Sequence, residues 1–560
     1  MIWQNRNFFC KVLLTLAETL SVALLLSNIV DHSLSIHVWN TIAAGGIVFL
    51  ISKKTNLRAR FNLTTFLIIW FLFFLFQSIS WGIKTFPLDD PQLVILTLQM
   101  PLDGFTSIFI KDFALKVLIP CLFTSFFFSL LIEPWMVSFG EKKIMLFIAI
   151  TFAALFITQM IYYNIPVNMY RKCLSDDNLI LHNSSFFQDN YISIDTVAVQ
   201  KKSGDTKNLI LIIMESIENS FADSASGGIQ QKNLIQELMP ADSNECHFSS
   251  NGFLGGGFNT VGTDLTISAT IAKTTGLPVL LKRTYNDTLL KNIPSIYNIL
   301  QKFGYSNVFI QGTDANFSGT KNYILSHGVH TLYDMHSLKQ QQDINELYRN
   351  FRSFEIGITD RTILDISKHI LDSLSKNKHF SLTIATIETH FRYGFYNKAC
   401  DDKPINSTEQ ATLEATIRCA SKDMRNFVNW IKQQSFYPNT EIIIVGDHLF
   451  MGNYLVNNAK NRRWHNLYIN PATKPQTLNR EFTSFDIAPT ILESLGFTIS
   501  SHKMGFGVSL FSSESTIVEK IGIDSLNHEL TNMKKSIEYN EIFGRVNMNR
   551  INSELSTSKN

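Results

Sequence analysis

The chain has 560 residues, with 49 Lys and Arg against 47 Asp and Glu, a formal net charge of +2 and 45% hydrophobic residues. This length allows more than one domain, and the near-neutral balance, with no Lys/Arg block interleaved with aromatics, excludes a nucleic-acid partner. The mean hydropathy of +0.06 averages two unlike parts: Phe, Leu, Ile and Val dominate residues 1–166, and the remainder mixes charged residues with short apolar runs.

Five apolar segments come first, at about 8–30, 36–52, 62–83, 113–132 and 144–166, each near the ~20 residues that cross a bilayer as a helix. The first is too long for a signal peptide and is followed by four more. Arg6 and Lys11, then Lys53, Lys54, Arg58 and Arg60, then Lys142 and Lys143 mark alternate loops, whereas the third loop carries Asp89, Asp90 and Asp103. Lys and Arg favour the cytoplasmic side, so the N-terminus is expected inside and everything after about residue 167 outside the cytoplasm. The third loop, QLVILTLQMPLDGFTSIFI, suits the membrane–water interface or an extra span that would invert this topology. Residues 167–206 read as a polar linker, 207–511 as a catalytic domain and 512–560 as a polar tail with one helical stretch.

In the outer part, NLILIIM at 208–214, NVFIQG after 306, FSLTIATIE from 380 and EIIIVGD from 441 are the unbroken apolar runs of buried parallel strands. Helical patterns at 288–303, 357–377 and 408–434 separate them. This order predicts an α/β domain with a mostly parallel sheet flanked by helices, whose ligands gather at the C-terminal strand ends. Cys400 and Cys419 have no zinc-type spacing and are expected to pair in an oxidising compartment, with Cys173 and Cys246 a looser second pair.

Two of these strands run into hard metal ligands, Glu215 after NLILIIM and Asp447 with His448 after EIIIVG. Between them, NGFLGGGFNTVGTDLTISATIAKTTGLP at 251–278 reads as a glycine-rich loop entering a helix that stops at Gly276, with Asp264 as N-cap and Thr266 in the first turn. A helix N-terminus favours an alkoxide or phosphate there. Two carboxylates, an imidazole and a threonine oxygen suit one divalent ion, Mn²⁺ first, with Zn²⁺ and Mg²⁺ open, and such an ion would activate the Thr266 hydroxyl as a nucleophile.

With ETHFRYGF at 388–395, GDHLFMGN at 446–453 and FDIAPTILESLGF at 485–497, these motifs resemble the alkaline-phosphatase/sulfatase-like lipid headgroup transferases. Within them the chain looks most like the phosphoglycerol transferases that decorate osmoregulated periplasmic glucans, and the lipoteichoic acid synthases are more distant. The resemblance covers about residues 205–510 and implies Glu215, Thr266, Asp447 and His448 as metal ligands, with Thr266 the nucleophile. It implies His390 as a phosphate contact, and it leaves Lys321 and His465 as further substrate-binding candidates. Lys321 follows Thr320, near the point where the lipoteichoic acid synthases carry an arginine.

The implied function is transfer of phosphoglycerol from phosphatidylglycerol to a glycan acceptor at the bacterial inner membrane, with the catalytic domain in the periplasm. A phosphoethanolamine transferase acting on lipid A is the nearest alternative. Its usual DHGES-like segment is replaced here by DHLFMGN. A formylglycine sulfatase would need a C/S-x-P-x-R motif, which the 251–278 stretch lacks, and a glycan-binding domain without turnover would not need the intact ligand set.

Overall fold

In the computed structural model the described residues run from 181 to 542, with gaps at 202–205, 249–254, 281–289, 291, 341–352, 355–356, 392–393, 453–454 and 457–461. Scattered positions between 67 and 122 are described as well. The five expected spans otherwise lie outside the described residues, as do Cys173 and the tail from 543; among the described residues no helix is long and apolar enough to cross a membrane. The chain divides into two compact units, Met1–Asn178 and Leu179–Asn560. The second carries the candidate site.

Its frame is a seven-stranded mixed sheet. In chain order the strands are β1 (Asn208–Met214), β2 (Glu245–Cys246), β3 (Ser306–Gln311), β4 (Thr331–Tyr333), β5 (Phe380–Ala385), β6 (Thr440–Gly446) and β7 (Asn466–Ile469). They lie side by side as β2-β7-β6-β1-β5-β3-β4. From β6 to β4 all neighbours are parallel, while β7 runs antiparallel to β6 and β2 antiparallel to β7. All four predicted strands belong to the parallel part. The antiparallel edge escaped the sequence reading because β2 has two residues and β7 four, too few for a periodic signal.

Both faces of β1 are buried, which explains its unbroken apolar run. Leu209, Leu211 and Ile213 join one core with Ile267 and Ile271 of α1 (Thr266–Thr275), Ile296 and Leu300 of α2 (Ile296–Lys302) and Ile487 and Ile491 of α6 (Ile487–Ser494). Ile210, Ile212 and Met214 join the opposite core with Ile363 and Leu364 of α4 (Asp360–Leu374) and Leu413, Ile417, Met424 and Ile431 of α5 (Glu409–Lys432). The α5 residues fall four or seven apart on one helical face, and Thr408 starts the helix by accepting the Ala411 N–H. α3 (Thr320–Ser326) follows β3 at the C-terminal edge of the sheet.

The stretch set apart as a tail packs into the first core. Leu526, Leu530 and Met533 of α8 (Ile523–Met533), which follows α7 (Ile517–Ile521), are buried there, as is Tyr539 of α9 (Ile537–Ile542). The Tyr539 hydroxyl donates to the Pro278 carbonyl and accepts from the Leu280 N–H, while Asn527 accepts the Val261 N–H. Both flanks of the helix that carries Thr266 are thereby held. Cys400 and Cys419 form the expected disulfide, joining the 396–408 loop to α5. Cys246 is a free thiol among the described residues, and its looser candidate partner Cys173 lies outside them; burial pushes the Cys246 thiol up to about 12.

Candidate active site

Parallel pairing of β1 with β6 sets Met214 opposite Gly446, so the next residues on each strand, Glu215 and Asp447, leave the sheet side by side at its C-terminal edge. The chain turns sharply there: Ser216 has φ 52°, in the left-handed region that a non-glycine residue rarely adopts. The turn is stabilised by the Ser216 N–H donating to Asp447 Oδ1 at 2.7 Å and the Ser216 hydroxyl donating to Glu215 Oε1 at 2.8 Å. The Glu215 N–H donates to Thr386 Oγ1 at 3.0 Å, and Thr389 Oγ1 donates to the Glu215 carbonyl. The extended backbone before α1 puts Thr266 at the first helical position, with Leu265 as the cap residue. Asp264 is therefore not the N-cap: it lies one residue before the cap position and is exposed.

One ligand atom each from Glu215, Asp447 and His448 lies within 4.8 Å of the others, and all three residues are buried. His448 Nε2 is 3.6 Å from Glu215 Oε1 and 3.4 Å from Asp447 Oδ2. The half-buried Thr266 presents Oγ1 at 3.1 Å from Glu215 Oε2, to which it donates, and at 3.4 Å from His448 Nε2. Asp447 Oδ1 is occupied by the Ser216 and His448 N–H groups, whereas Oδ2 is buried with no hydrogen-bond partner. His448 Nδ1 lies 2.9 Å from the Leu449 carbonyl, an acceptor for Nδ1–H, which leaves the Nε2 lone pair facing the carboxylates. A mixed N/O donor set with an orphaned carboxylate oxygen fits a divalent ion.

The electrostatics agree with that fit. Burial, reinforced by the Asp447 charge, pushes the Glu215 carboxyl above its ordinary range. Burial alone would depress His448, but the charges of Asp447 and Glu215 outweigh it and lift the imidazole above its usual value. Two buried carboxylates stabilising positive charge at an imidazole create the field that a cation would occupy.

Residues 207–497, just over half of the chain, match the family described as Sulfatase. The chain belongs to the sulfatase family. The phosphoglycerol transferases I of Escherichia fergusonii and Salmonella typhi are each 28% identical to it over 320 residues, 55% of this chain and 39% of the relative. The match therefore spans well under half the length of those relatives. Among solved structures, the lipoteichoic acid synthase LtaP from Listeria monocytogenes is similar at 17% identity and a TM-score of 0.45, covering 59% of this chain and 82% of that one.

Of the remaining predicted residues of this sulfatase-family protein, His390 stands near the cluster. It is half-buried, its charge acts on Glu215, and its Nδ1 lies 2.6 Å from the Phe391 carbonyl. Lys321 is exposed on the first turn of α3, and no contact brings it to Glu215, Thr266, Asp447 or His448. His465 is not brought to the cluster. Its backbone lies beside Gly446, but its side chain is buried near His247, Arg425 and the Leu238 backbone, where burial pushes the imidazole down to about 3. It extends to the α5 face of the sheet, away from Thr266, because the alternation of side chains along β7 sends it there with Leu467.

Sequence reasoning missed Ser216, Thr386, Thr389 and Lys273. Thr386 and Thr389 sit inside the quoted motifs and Ser216 directly follows Glu215, but all three are small hydroxyl residues that hold Glu215 in place through its backbone or its carboxylate. Lys273 is wholly buried on an otherwise apolar and threonine-rich helix, a pattern that marks an unusual lysine even in sequence.

Proposed function

We propose that this protein is a membrane-bound, metal-dependent phosphotransferase that moves phosphoglycerol from phosphatidylglycerol to a periplasmic or surface glycan through a covalent Thr266 intermediate. The observation that carries the reading is the convergence of Thr266 Oγ1 with Glu215, Asp447 and His448 at one edge of the sheet. In this reading residues 1–166 cross the bacterial inner membrane five times with the N-terminus inside, and the sheet domain works in the periplasm beside its lipid donor.

Glu215, Asp447, His448 and Thr266 would hold one divalent ion, with Mn²⁺ the first choice. When bound, such an ion neutralises phosphate charge and lowers the pKa of a coordinated hydroxyl. Thr266 Oγ1 attacks the phosphorus of phosphatidylglycerol and its proton passes toward Glu215 Oε2, the acceptor 3.1 Å away. The new Oγ1–P bond forms as the P–O bond to diacylglycerol breaks, and diacylglycerol leaves as an alcohol after taking up a proton. In this reading His390 donates to a phosphate oxygen of the donor. An acceptor sugar hydroxyl then attacks the same phosphorus, the Oγ1–P bond breaks, and the Thr266 hydroxyl is restored. Positioning and charge neutralisation provide most of the acceleration in phosphoryl transfer, so this short set of groups suffices.

The test is incubation of the purified full chain with phosphatidylglycerol or phosphatidylethanolamine vesicles, followed by peptide mass mapping. A phosphoglycerol adduct on Thr266, absent in Thr266→Ala and discharged by a glucan acceptor, is expected. A phosphoethanolamine adduct on the same residue would move the donor to the alternative branch, which DHLFMGN disfavours. No adduct from either lipid in metal-loaded protein would refute the nucleophile.

A further inference from the structure

We infer that Lys273 is a positioning residue of this reaction, whose Nζ ties the helix carrying Thr266 to the backbone of the proposed metal ligand Asp447. The inference rests on the metal-dependent reading above. Lys273 lies seven residues, two helical turns, after Thr266 on α1 and has no exposed surface. Its Nζ donates to the Asp447 carbonyl at 2.7 Å and to Ser484 Oγ at 2.9 Å, and it stands 4.2 Å from the centroid of the Trp464 ring. Thus one amine touches the nucleophile helix, the ligand segment after β6, the Ser484 turn and the indole against which Gly257 of the glycine loop is packed.

Packing alone does not call for a lysine there. Burying an amine is costly, and a methionine of similar length would fill the space. Thr270, Thr274 and Thr275 donate to carbonyls within α1, and the further partners of Thr274 and Thr275, the Tyr323 hydroxyl and the Leu277 N–H, belong to neither Asp447 nor His448. Lys273 instead completes the fixation of Asp447. The Asp447 N–H donates to the Met214 carbonyl, Oδ1 accepts from Ser216 and His448, and the carbonyl accepts from Lys273. Every hydrogen-bonding group of the residue is then engaged except Oδ2, the oxygen that faces the site. Without the Nζ bond the carbonyl end of the Asp447–His448 peptide loses its anchor and only the N–H end, bonded to Oδ1, stays held, so Oδ2 and His448 Nε2 shift relative to Thr266 Oγ1. A displacement of about 1 Å at a reacting centre can cost on the order of 100-fold in rate.

The experiment uses metal-stripped full-length protein in detergent, wild type and Lys273→Met, with Mn²⁺ binding measured by calorimetry alongside kcat and KM for phosphatidylglycerol. The expected result is Mn²⁺ affinity weakened about tenfold and kcat lowered tenfold or more, with KM within about twofold, since no lipid contact is removed. A folded Lys273→Met protein that binds Mn²⁺ as tightly as wild type overturns the inference and leaves the metal reading standing. Wild-type protein that binds no divalent ion overturns both. If Lys273→Met does not fold, Ser484→Ala decides: it removes one Nζ partner and none of the proposed ligands. About threefold weaker Mn²⁺ binding supports the positioning role, and unchanged binding refutes it.

Discussion

His465 provides a test in which sequence and structure disagree. In the folded state burial holds its imidazole neutral with a pKa of about 3, against 6.5 when unhindered. Between those values the unfolded chain binds a proton that the folded chain refuses. The contribution of this residue is thus complete above pH 6.5 and is lost as pH falls toward 3. The linkage relation gives a loss of about 2 kcal/mol by pH 5, approaching a ceiling of about 5 kcal/mol only at the lowest pH. Gln in place of His465 stays neutral throughout, so its own packing cost is the same at every pH. Urea unfolding of wild type and His465→Gln at pH 8 and pH 5 should therefore show the variant gaining about 2 kcal/mol on wild type at the lower pH. Buried acids such as Asp360 and Asp486, each pushed to about 7 by burial, titrate alike in both proteins and cancel from the difference. Transfer activity at neutral pH should survive, because the ring lies away from Thr266. A pH-independent stability difference, or loss of the Thr266 adduct in a folded His465→Gln protein, would refute the placement.

Gly257→Ala should lower both stability and kcat, because the added methyl would fall within the Trp464 ring that also contacts Lys273. Relief of that overlap costs about 1–3 kcal/mol, read by thermal melting, and a variant melting with wild type would show that the loop yields freely. Cys400→Ser should destabilise the domain by roughly 3 kcal/mol, the loop-closure value for a loop of about 20 residues. The metal affinity should stay unchanged, because the disulfide joins the 396–408 loop to α5 and touches none of the proposed ligands. A Tm equal to wild type would mean that packing of α5 already fixes the loop.

The parallel core of the fold was legible because burial on both faces leaves an unmistakable apolar run. β1 was predicted at 208–214 and is observed at Asn208–Met214. Glu215, Asp447 and His448 were legible for the same reason: a polar residue directly after such a run must emerge at the strand end. β2 and β7 were not legible. Glu245 occupies β2 because Arg425 and Lys432 on α5 neutralise it at 2.7 Å, a compensation 180 residues away that no local pattern reveals. The tail looked polar because α8 buries only one stripe, Leu526, Leu530 and Met533, and its other faces are solvated. The face that His465 takes was not legible because proximity in space to the strand that carries Asp447 does not specify which side of the sheet a side chain occupies.

The site's design follows from where unfavourable groups are tolerated. Ser216 at positive φ, the two buried carboxylates of Glu215 and Asp447, and the buried amine of Lys273 each oppose stability if taken singly. Here they occupy one sheet edge, and each compensates another. The Ser216 N–H binds Asp447, the Ser216 hydroxyl binds Glu215, and Lys273 binds the Asp447 backbone, all without using Asp447 Oδ2. One oxygen is left without a hydrogen bond beside the Nε2 of His448 and near the hydroxyl of Thr266. A protein selected for stability alone would have paired it. The cost is explained if a cation completes the cluster during turnover, and metal binding should then raise the Tm of wild type and do so less for Lys273→Met.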